Sequence, residues 1–116
     1  MKAINLAIGA KTFTAALSDN QTAKEFAARL PLSIKMTEMN GNEKYHRFDT
    51  NFATNDKIVG NVEAGDLMIW SSSYLVLFYK SFDSSYSYTK IGRIDDASGL
   101  AEAVGAGDVE ISFSVK

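Results

Sequence analysis

The residues best suited to bind a ligand form a dense cluster of aromatic and hydroxyl side chains. Four aromatic residues fall within ten positions and are interleaved with serines; they are Tyr79, Phe82, Tyr86 and Tyr88. Tyrosine and serine together suit contact surfaces, because rigid aromatic area is combined with adaptable hydrogen bonds. The cluster predicts either a ligand groove or a hairpin whose aromatic side chains pack across neighbouring strands.

One acidic residue stands in a predicted strand of mostly apolar and hydroxyl residues. Glu38 shares its alternation with Ile34 and Met36, so all three face inward if that face is the core. Burial raises the pKa of an inward carboxyl, and such a group is a candidate general acid or base. The alternative is a solvated strand end beside the Asn40-Gly41 turn.

Two arginines, Arg47 and Arg93, are candidates to bind an anion, because the planar guanidinium suits carboxylates. The alternative for each is a surface cation or a weak ion pair with a nearby acid. His46 is expected to be half-buried or on the surface, since no nucleophile can be assigned to it. Trp70 shares one strand face with Met68 and is expected in the core.

The composition excludes several kinds of site. No cysteine and one histidine leave no disulfide, thiolate metal site, cysteine nucleophile or multi-histidine site. Asp95-Asp96 lacks the ordered series of oxygens that calcium needs, and the isolated glycines form no phosphate-binding loop. We therefore expect no metal and no cofactor.

The charge and hydropathy also limit the partners. A net charge of −2 argues against nucleic acid, and no apolar run approaches the ~18 residues of a membrane span. The N-terminal residues alternate like a strand rather than forming a signal peptide. The absence of cysteine is typical of a reducing compartment, so we expect a cytoplasmic protein. We expect it to be a monomer or a homodimer.

Alternating apolar and polar positions predict the strands that would position these side chains. Helical spacing predicts one helix over Ala23 to Leu30, capped by Ser18 and stopped by Pro31. A second helix is capped by Asp95-Asp96 or Ser98 and ended by Gly105 or Gly107. The predicted strands are 3–8, 12–17, 33–37, 44–48, 67–70, 74–79, 88–94 and 109–115.

Two polar segments are predicted to be loops. Residues 49–65 form the longer one, with Phe52 and Ile58 as anchors, and residues 80–87 form the other. A loop of such length is often functional and would suit a lid. With one domain over 1–116, many strands and few helices, we expect a mainly β protein, namely a closed barrel of about eight strands with two short helices over its open ends.

The order of these elements resembles the cyclophilin barrel. Four segments carry a closer resemblance, to a family of small bacterial cyclophilin-like proteins without an established activity. They are T-F-T-A-A-L-S-D-N-Q-T-A at 12–23, N-G-N-E-K-Y at 40–45, A-G-D-L-M at 64–68 and L-V-L-F-Y-K-S-F-D-S-S-Y-S-Y-T-K-I-G-R-I at 75–94. The resemblance implies a cyclophilin-like barrel; some relatives are joined to flavodoxin-like domains, and no such region is present here.

Prolyl isomerases of the cyclophilin type provide a second comparison. Tyr45-His46-Arg47 resembles their aromatic-His-Arg strand, which would give Arg47 the role of stabilising the lone pair on the proline nitrogen as the peptide bond twists. Their apolar-Gln-Gly-Gly-Asp run is missing from 49–66, where Gly65-Asp66 is at best a remnant. Their pocket tryptophan and histidine have no match in 80–93. These departures argue against an active prolyl isomerase.

Two hypotheses from different classes follow. The first is a binding domain that holds a small molecule or a peptide segment in an aromatic groove on the barrel wall. The alternative is an enzyme, either a divergent prolyl isomerase acting through Arg47 or an acid/base catalyst acting through Glu38. The expected groove residues are Tyr45, Arg47, Phe78, Tyr79, Phe82, Tyr86 and Tyr88.

Overall fold

Eight antiparallel strands close into a barrel in the computed structural model, which describes residues 2–116. A ninth strand lies outside the barrel, and two helices complete the fold. The strands are β1 (Ala3–Ile8), β2 (Lys11–Leu17), β3 (Leu32–Met39), β4 (Glu43–Arg47), β5 (Lys57–Val62), β6 (Asp66–Trp70), β7 (Tyr74–Phe78), β8 (Phe82–Ile94) and β9 (Val109–Val115); the helices are α1 (Gln21–Ala28) and α2 (Leu100–Val104).

The wall of the barrel runs in the order β2-β1-β9-β3-β4-β7-β6-β8, and β8 returns to β2. The closing contact is short: Ala15 pairs with Ile94, and Leu17 pairs with Gly92. The backbones come so close here that a Cβ atom on Gly92 would lie 2.7 Å from the carbonyl oxygen of Ala16. The predicted class, a mainly β closed barrel of about eight strands, is confirmed.

Strand β8 serves two sheets in turn. The C-terminal part of its 13 residues lies in the wall between β6 and β2, whereas residues 82–88 pair with β5. We call β5 and residues 82–88 the outer ribbon. Predicting loops over all of 49–65 and 80–87 was therefore wrong. The ribbon presents polar side chains to solvent along much of its length, and their composition is typical of loops.

The wall separates two apolar clusters. The larger one fills the barrel and includes Leu6, Leu77 and the edge-to-face pair of Phe26 and Phe113, whose ring centroids are 5.6 Å apart. The smaller one, the outer cluster, lies between the wall and the outer ribbon and is made of Val62, Met68, Val76, Phe78 and Tyr88. Because successive strand residues point to opposite faces, β6 and β7 contribute to both clusters.

The helix caps differ from the predicted ones. The side chain of Asn20, rather than Ser18, caps α1 by accepting a hydrogen bond from the backbone N–H of Ala23 at 2.8 Å. Helix α2 begins after Gly99, whose φ of 80° is left-handed, so neither Asp95-Asp96 nor Ser98 is its cap. Gly105 ends α2, as one of the two expected alternatives.

Three aromatic or aliphatic anchors can be compared with expectation. Phe52 is buried and packs edge-on against Phe48 with ring centroids 5.4 Å apart, as expected. Ile58 is 72% exposed because it lies on the outer ribbon, so its prediction as an anchor was wrong. Trp70 is 39% exposed, because its position on β6 faces outward rather than into the barrel.

None of the helices in residues 2–116 has the length and hydropathy to cross a membrane.

Candidate functional site

A cavity of about 290 Å³ opens on the outer face of the barrel wall, between β4, β7 and the outer ribbon. We call it the aromatic groove. Aromatic side chains from four strands line it, together with one carboxylate. They are Tyr45 of β4, Trp70 of β6, Tyr74 of β7, and Tyr86 and Tyr88 of β8, with Glu43 of β4.

Strand register brings the wall side of the groove together. Tyr45 pairs with Val76, and Trp70 pairs with Tyr74, so these outward-facing positions are neighbours on one sheet face. Tyr74 stands between the other two rings, with its centroid 5.9 Å from Tyr45 and 5.3 Å from Trp70. Both ring pairs are tilted, by 55° and 59°. The three rings therefore form a curved apolar wall.

The outer cluster holds the opposite side of the groove in place. The ring of Phe78 contacts Phe82 at 5.6 Å and Tyr88 at 5.5 Å between centroids. These contacts fasten the outer ribbon to the wall, so that Tyr88 is buried while Tyr86 stays 63% exposed at the mouth. Phe78 and Phe82 belong to this support and are not among the residues that line the cavity.

The carboxylate in the groove has an unusual environment. Glu43 is only 9% exposed. Among residues 2–116, no ion pair and no side-chain hydrogen bond reaches its carboxylate. Burial raises the pKa of Glu43, and the negative charge of Glu38 raises it further. An acidic group thus faces an aromatic cavity without a cation of its own.

The next residue along the chain has the opposite arrangement. The side chain of Lys44 points to the inside of the barrel and is completely buried. Its ammonium pairs with Glu38 Oε1 at 2.8 Å and donates to the carbonyl oxygens of Gly105 and Gly107. All three of its N–H donors therefore have acceptors. Lys44 closes one end of the barrel by binding the chain that follows α2.

Glu38 belongs to this inner polar group. Burial acts to raise its pKa, but hydrogen bonds from Lys44, the Tyr79 hydroxyl and the Gly41 N–H outweigh that effect and lower it. The prediction of a raised pKa was therefore wrong, although Glu38 does face inward beside Met36. A carboxyl held in its ionised form by three donors is an anchor rather than a general acid.

Tyr79 is also inside the barrel and not in the aromatic groove. It comes directly after β7, and its side chain points to the inner face, opposite to that of Phe78. Its hydroxyl donates to Glu38 at 2.7 Å. Burial and this hydrogen bond raise the pKa of Tyr79 to about 12. The structure thus removes Tyr79 from the predicted groove set.

The predicted Tyr45-His46-Arg47 triplet is divided between the two faces. Tyr45 lines the groove, whereas half-buried His46 turns inward, where its Nδ1 lies 3.1 Å from the Lys35 carbonyl oxygen. Arg47 faces outward and is exposed; it pairs with Tyr74 in register but is not among the residues lining the cavity. The structure therefore does not bring Arg47 together with the lining residues, because β4 carries it past the cavity's edge.

Arg93 takes the role of an ion-pair partner rather than of a free anion site. Its Nε donates to Asp66 Oδ1 at 2.6 Å, and this bond raises the pKa of Arg93. Asp66 is buried and also accepts a hydrogen bond from the Glu63 N–H. The pair joins β6 to β8 in the wall. No group of three or more histidine, aspartate or glutamate side chains within residues 2–116 could hold a metal ion.

A second cavity, of about 670 Å³, lies between the start of α1 and β5. Thr22, one of its two buried hydroxyls, donates to the Ala53 carbonyl oxygen. The other, Thr89, donates to Asp56 and accepts from the Asn55 N–H. The buried hydroxyls there are thus used within the protein. The aromatic groove is the better candidate site because its carboxylate has no partner.

Sequence reasoning missed Glu43, Trp70 and Tyr74 as groove residues. A signal for each exists in the sequence. Glu43 shares one strand face with Tyr45, and Trp70 and Tyr74 flank a tight turn at equal distances from its centre. What the sequence lacks is the order of the strands. Only the pairing of β4 with β7, and of β7 with β6, brings the three residues to one place.

Comparisons with known proteins give one family and one fold. A family model described as "Cyclophilin-like family" matches residues 6–114. No curated protein matches the chain significantly. The fold is similar to the solution structure of a hypothetical protein from Archaeoglobus fulgidus, with 15% sequence identity and a TM-score of 0.62 over 99% of this chain and 95% of that one. At that identity the likeness shows the fold alone.

Proposed function

The chain belongs to the cyclophilin-like family, and from this premise we propose that it is a binding domain whose aromatic groove holds a small molecule or one side chain of a peptide segment. The observation that carries the proposal is the groove itself. Five aromatic side chains from four strands converge there on a cavity open to solvent. The outer ribbon and the wall hold that cavity open instead of collapsing into a continuous core.

The dimensions favour a ligand of modest size. Drug-sized ligands occupy cavities of roughly 300–1,000 Å³, and the groove, at about 290 Å³, lies just below that range. Tyrosine and tryptophan provide rigid contact area at a small entropic cost, and each keeps one polar atom for orientation. Exposed Trp70 and Tyr86 offer such area before any ligand has bound.

Binding fits the positions of the polar groups better than catalysis does. Arg47 lies beyond the cavity, and the Glu38 carboxylate is occupied inside the barrel. In the part of the chain that the structure describes, Glu43 is the only acidic side chain lining the groove. A nucleophile with a neighbouring base, which covalent catalysis needs, is not found among its lining residues.

The single tryptophan makes the proposal easy to test, because Trp70 lines the groove and dominates the intrinsic fluorescence. We expect some members of a library of metabolites and short peptides to change Trp70 emission and to raise the melting temperature. A ligand at 100 times its Kd stabilises the folded state by about 2.7 kcal/mol. That is enough to move the melting temperature by several degrees.

Two variants locate the binding. Tyr86→Ala removes an exposed ring from the mouth of the groove and should abolish both responses without unfolding the protein. Ile58→Ala removes a similarly exposed apolar side chain from the same ribbon but outside the groove, and should leave them unchanged. A library without any active compound, or responses that survive Tyr86→Ala, would contradict the proposal.

A further inference from the structure

The chemistry of the groove also indicates what kind of ligand it takes. Aromatic rings make up most of its lining, which also includes Met39, Asn40 and Val76. Its one carboxylate is that of Glu43, which is nine-tenths buried and has no ion-pair partner among the described residues. A buried charge without a counter-ion is costly, and proteins rarely keep one unless it is paired. The natural counter-ion for this carboxylate is a cation that enters the groove.

No side chain within residues 2–116 takes that place. Lys44 precedes Tyr45 on β4, but its side chain points to the inside of the barrel. There the three N–H donors of its ammonium group are all used, one of them by Glu38. The other ion pairs join Lys24 with Asp19, Lys35 with Asp108 and Arg93 with Asp66. None of these cations lines the groove.

The aromatic side chains complete a site for a diffuse positive charge. A cation over the face of tryptophan or tyrosine is attracted by the ring quadrupole, and tryptophan is the best of these partners. Trp70, Tyr74 and Tyr45 stand in sequence with centroids 5.3 and 5.9 Å apart. A cation between these rings and Tyr86 would meet several faces at once.

The form of the cation follows from a comparison within the same molecule. The primary ammonium of Lys44 is buried with three acceptors for its three N–H groups, one carboxylate and two carbonyl oxygens. The groove provides one unpartnered carboxylate and five aromatic rings, together with Met39, Asn40 and Val76. That set suits a cation with methyl groups in place of N–H donors, because methyl groups need contact area rather than acceptors.

We propose that the aromatic groove binds a methylated ammonium group, with Glu43 as the counter-ion and Trp70, Tyr74, Tyr45 and Tyr86 as the surrounding rings. This inference rests on the proposed binding function and narrows its ligand class. The group belongs to a small metabolite of a size that the 290 Å³ cavity admits. The remainder of such a ligand extends past the exposed ring of Tyr86 into solvent.

The test compares choline with 3,3-dimethylbutan-1-ol, its uncharged analogue of the same shape. Both are titrated into the full chain at constant ionic strength while Trp70 fluorescence and the heat of binding are followed. We expect choline to bind and the alcohol to bind at least about tenfold more weakly, as for loss of one desolvated charge pair. Tetramethylammonium should compete with choline.

Variants separate the charge from the rings. Glu43→Gln keeps the shape of the side chain and should weaken choline binding at least about tenfold. Glu110→Gln removes an exposed acid on β9 that does not line the groove, and should change nothing. Trp70→Phe keeps an aromatic ring but a weaker quadrupole, so it should weaken choline more than the alcohol, as measured by heat of binding.

Each other outcome has a definite meaning. If the alcohol binds as well as choline and Glu43→Gln has no effect, the cation inference fails while the binding function stands. If neither binds but the library contains uncharged ligands that need Tyr86, the same conclusion holds. If no compound binds in a Tyr86-dependent way, the proposed function fails together with the inference.

Discussion

Glu43 and Lys44 are adjacent in sequence and have opposite charges, yet they do not neutralise each other. Strand alternation sends one to the outer groove and the other into the barrel. Lys44 gains three acceptors there, while Glu43 keeps none from the described residues. Two adjacent residues thus give the wall a buried cation on one side and an unpaired acid on the other.

The unpaired acid should cost stability that a neutral side chain restores. We expect Glu43→Gln to raise the free energy of unfolding at pH 7 by on the order of 1 kcal/mol. The pKa of Glu43 is raised in the folded protein by burial and by Glu38. The stability contributed by Glu43 therefore falls as pH rises from the ordinary glutamate pKa of 4.5 through the folded value. The variant lacks this contribution, so its stability relative to the wild type rises with pH.

Urea denaturation across a pH series measures this difference. Among residues 2–116, no second carboxylate, lysine, arginine or histidine lines the groove with Glu43. The stability gap should hence grow as pH rises from about 4.5 through the folded pKa of Glu43 and then level off. A gap that is constant with pH, or a variant that is less stable at pH 7, would show that the Glu43 carboxylate is already stabilised.

At the scale of elements, the most demanding contact is the closure of the barrel between β2 and β8. We expect Gly92→Ala to destabilise the fold by about 2 kcal/mol, because the added methyl must push two backbones apart. It would lie 2.7 Å from the Ala16 carbonyl oxygen and 3.2 Å from a methyl group of Leu17. Equilibrium urea denaturation gives the change directly.

A second glycine gives a matched control for this substitution. Gly107 has no neighbouring atom within 4 Å of the position that a Cβ would take. Its backbone is not in the left-handed region either, so alanine there should leave the unfolding midpoint nearly unchanged. If Gly92→Ala proved as stable as Gly107→Ala, the closing strands would have to be further apart than described.

The alternation of apolar and polar residues, together with the residues of the turns, predicted the barrel strands. Each such strand has one face in the core, so its apolar residues recur at every second position. The Asn40-Gly41 hairpin and the helix that carries Phe26 follow from equally local signals. The outer ribbon could not be predicted in this way. It packs only a few residues, such as Val62 and Phe82, against the wall, so its alternation is weak and its serines and glycine are typical of loops.

The groove was predictable only in part for a different reason. Tyr86 and Tyr88 stand in one segment, and Tyr45 belongs to a motif with a known resemblance, so all three were expected there. Trp70 and Glu43 join them only through strand order, which local patterns do not contain. Tyr79 was misplaced because membership in an aromatic cluster along the chain says nothing about the face of the strand.

For the whole molecule, the question is whether the shared barrel also retains the isomerase activity for which cyclophilins are known. We expect no acceleration of cis–trans exchange in a proline peptide in a protease-free assay. Twisting the peptide bond must overcome about 18–20 kcal/mol, and a positive group has to meet the lone pair on nitrogen. Here the groove presents the Glu43 carboxylate instead, and Arg47 lies outside it.

Arg47→Ala is the decisive variant in that assay. We expect its rate to equal that of the wild type and of the buffer, and we expect choline to make no difference. Acceleration by the wild type that disappears in Arg47→Ala would make the barrel wall beside Tyr74 a catalytic surface. The protein would then be a divergent isomerase, and the groove a neighbouring site.

The 13 residues of β8 have a consequence for how such a protein can diversify. The C-terminal end of the strand is paired on both sides within the closed wall. The N-terminal end, which carries Tyr86, extends beyond the wall and, among the described residues, pairs with β5 alone. Substitutions or length changes at the N-terminal end would reshape the groove without disturbing closure. The ligand selectivity proposed for the groove and the closure of the barrel would thus depend on separate stretches of a single strand.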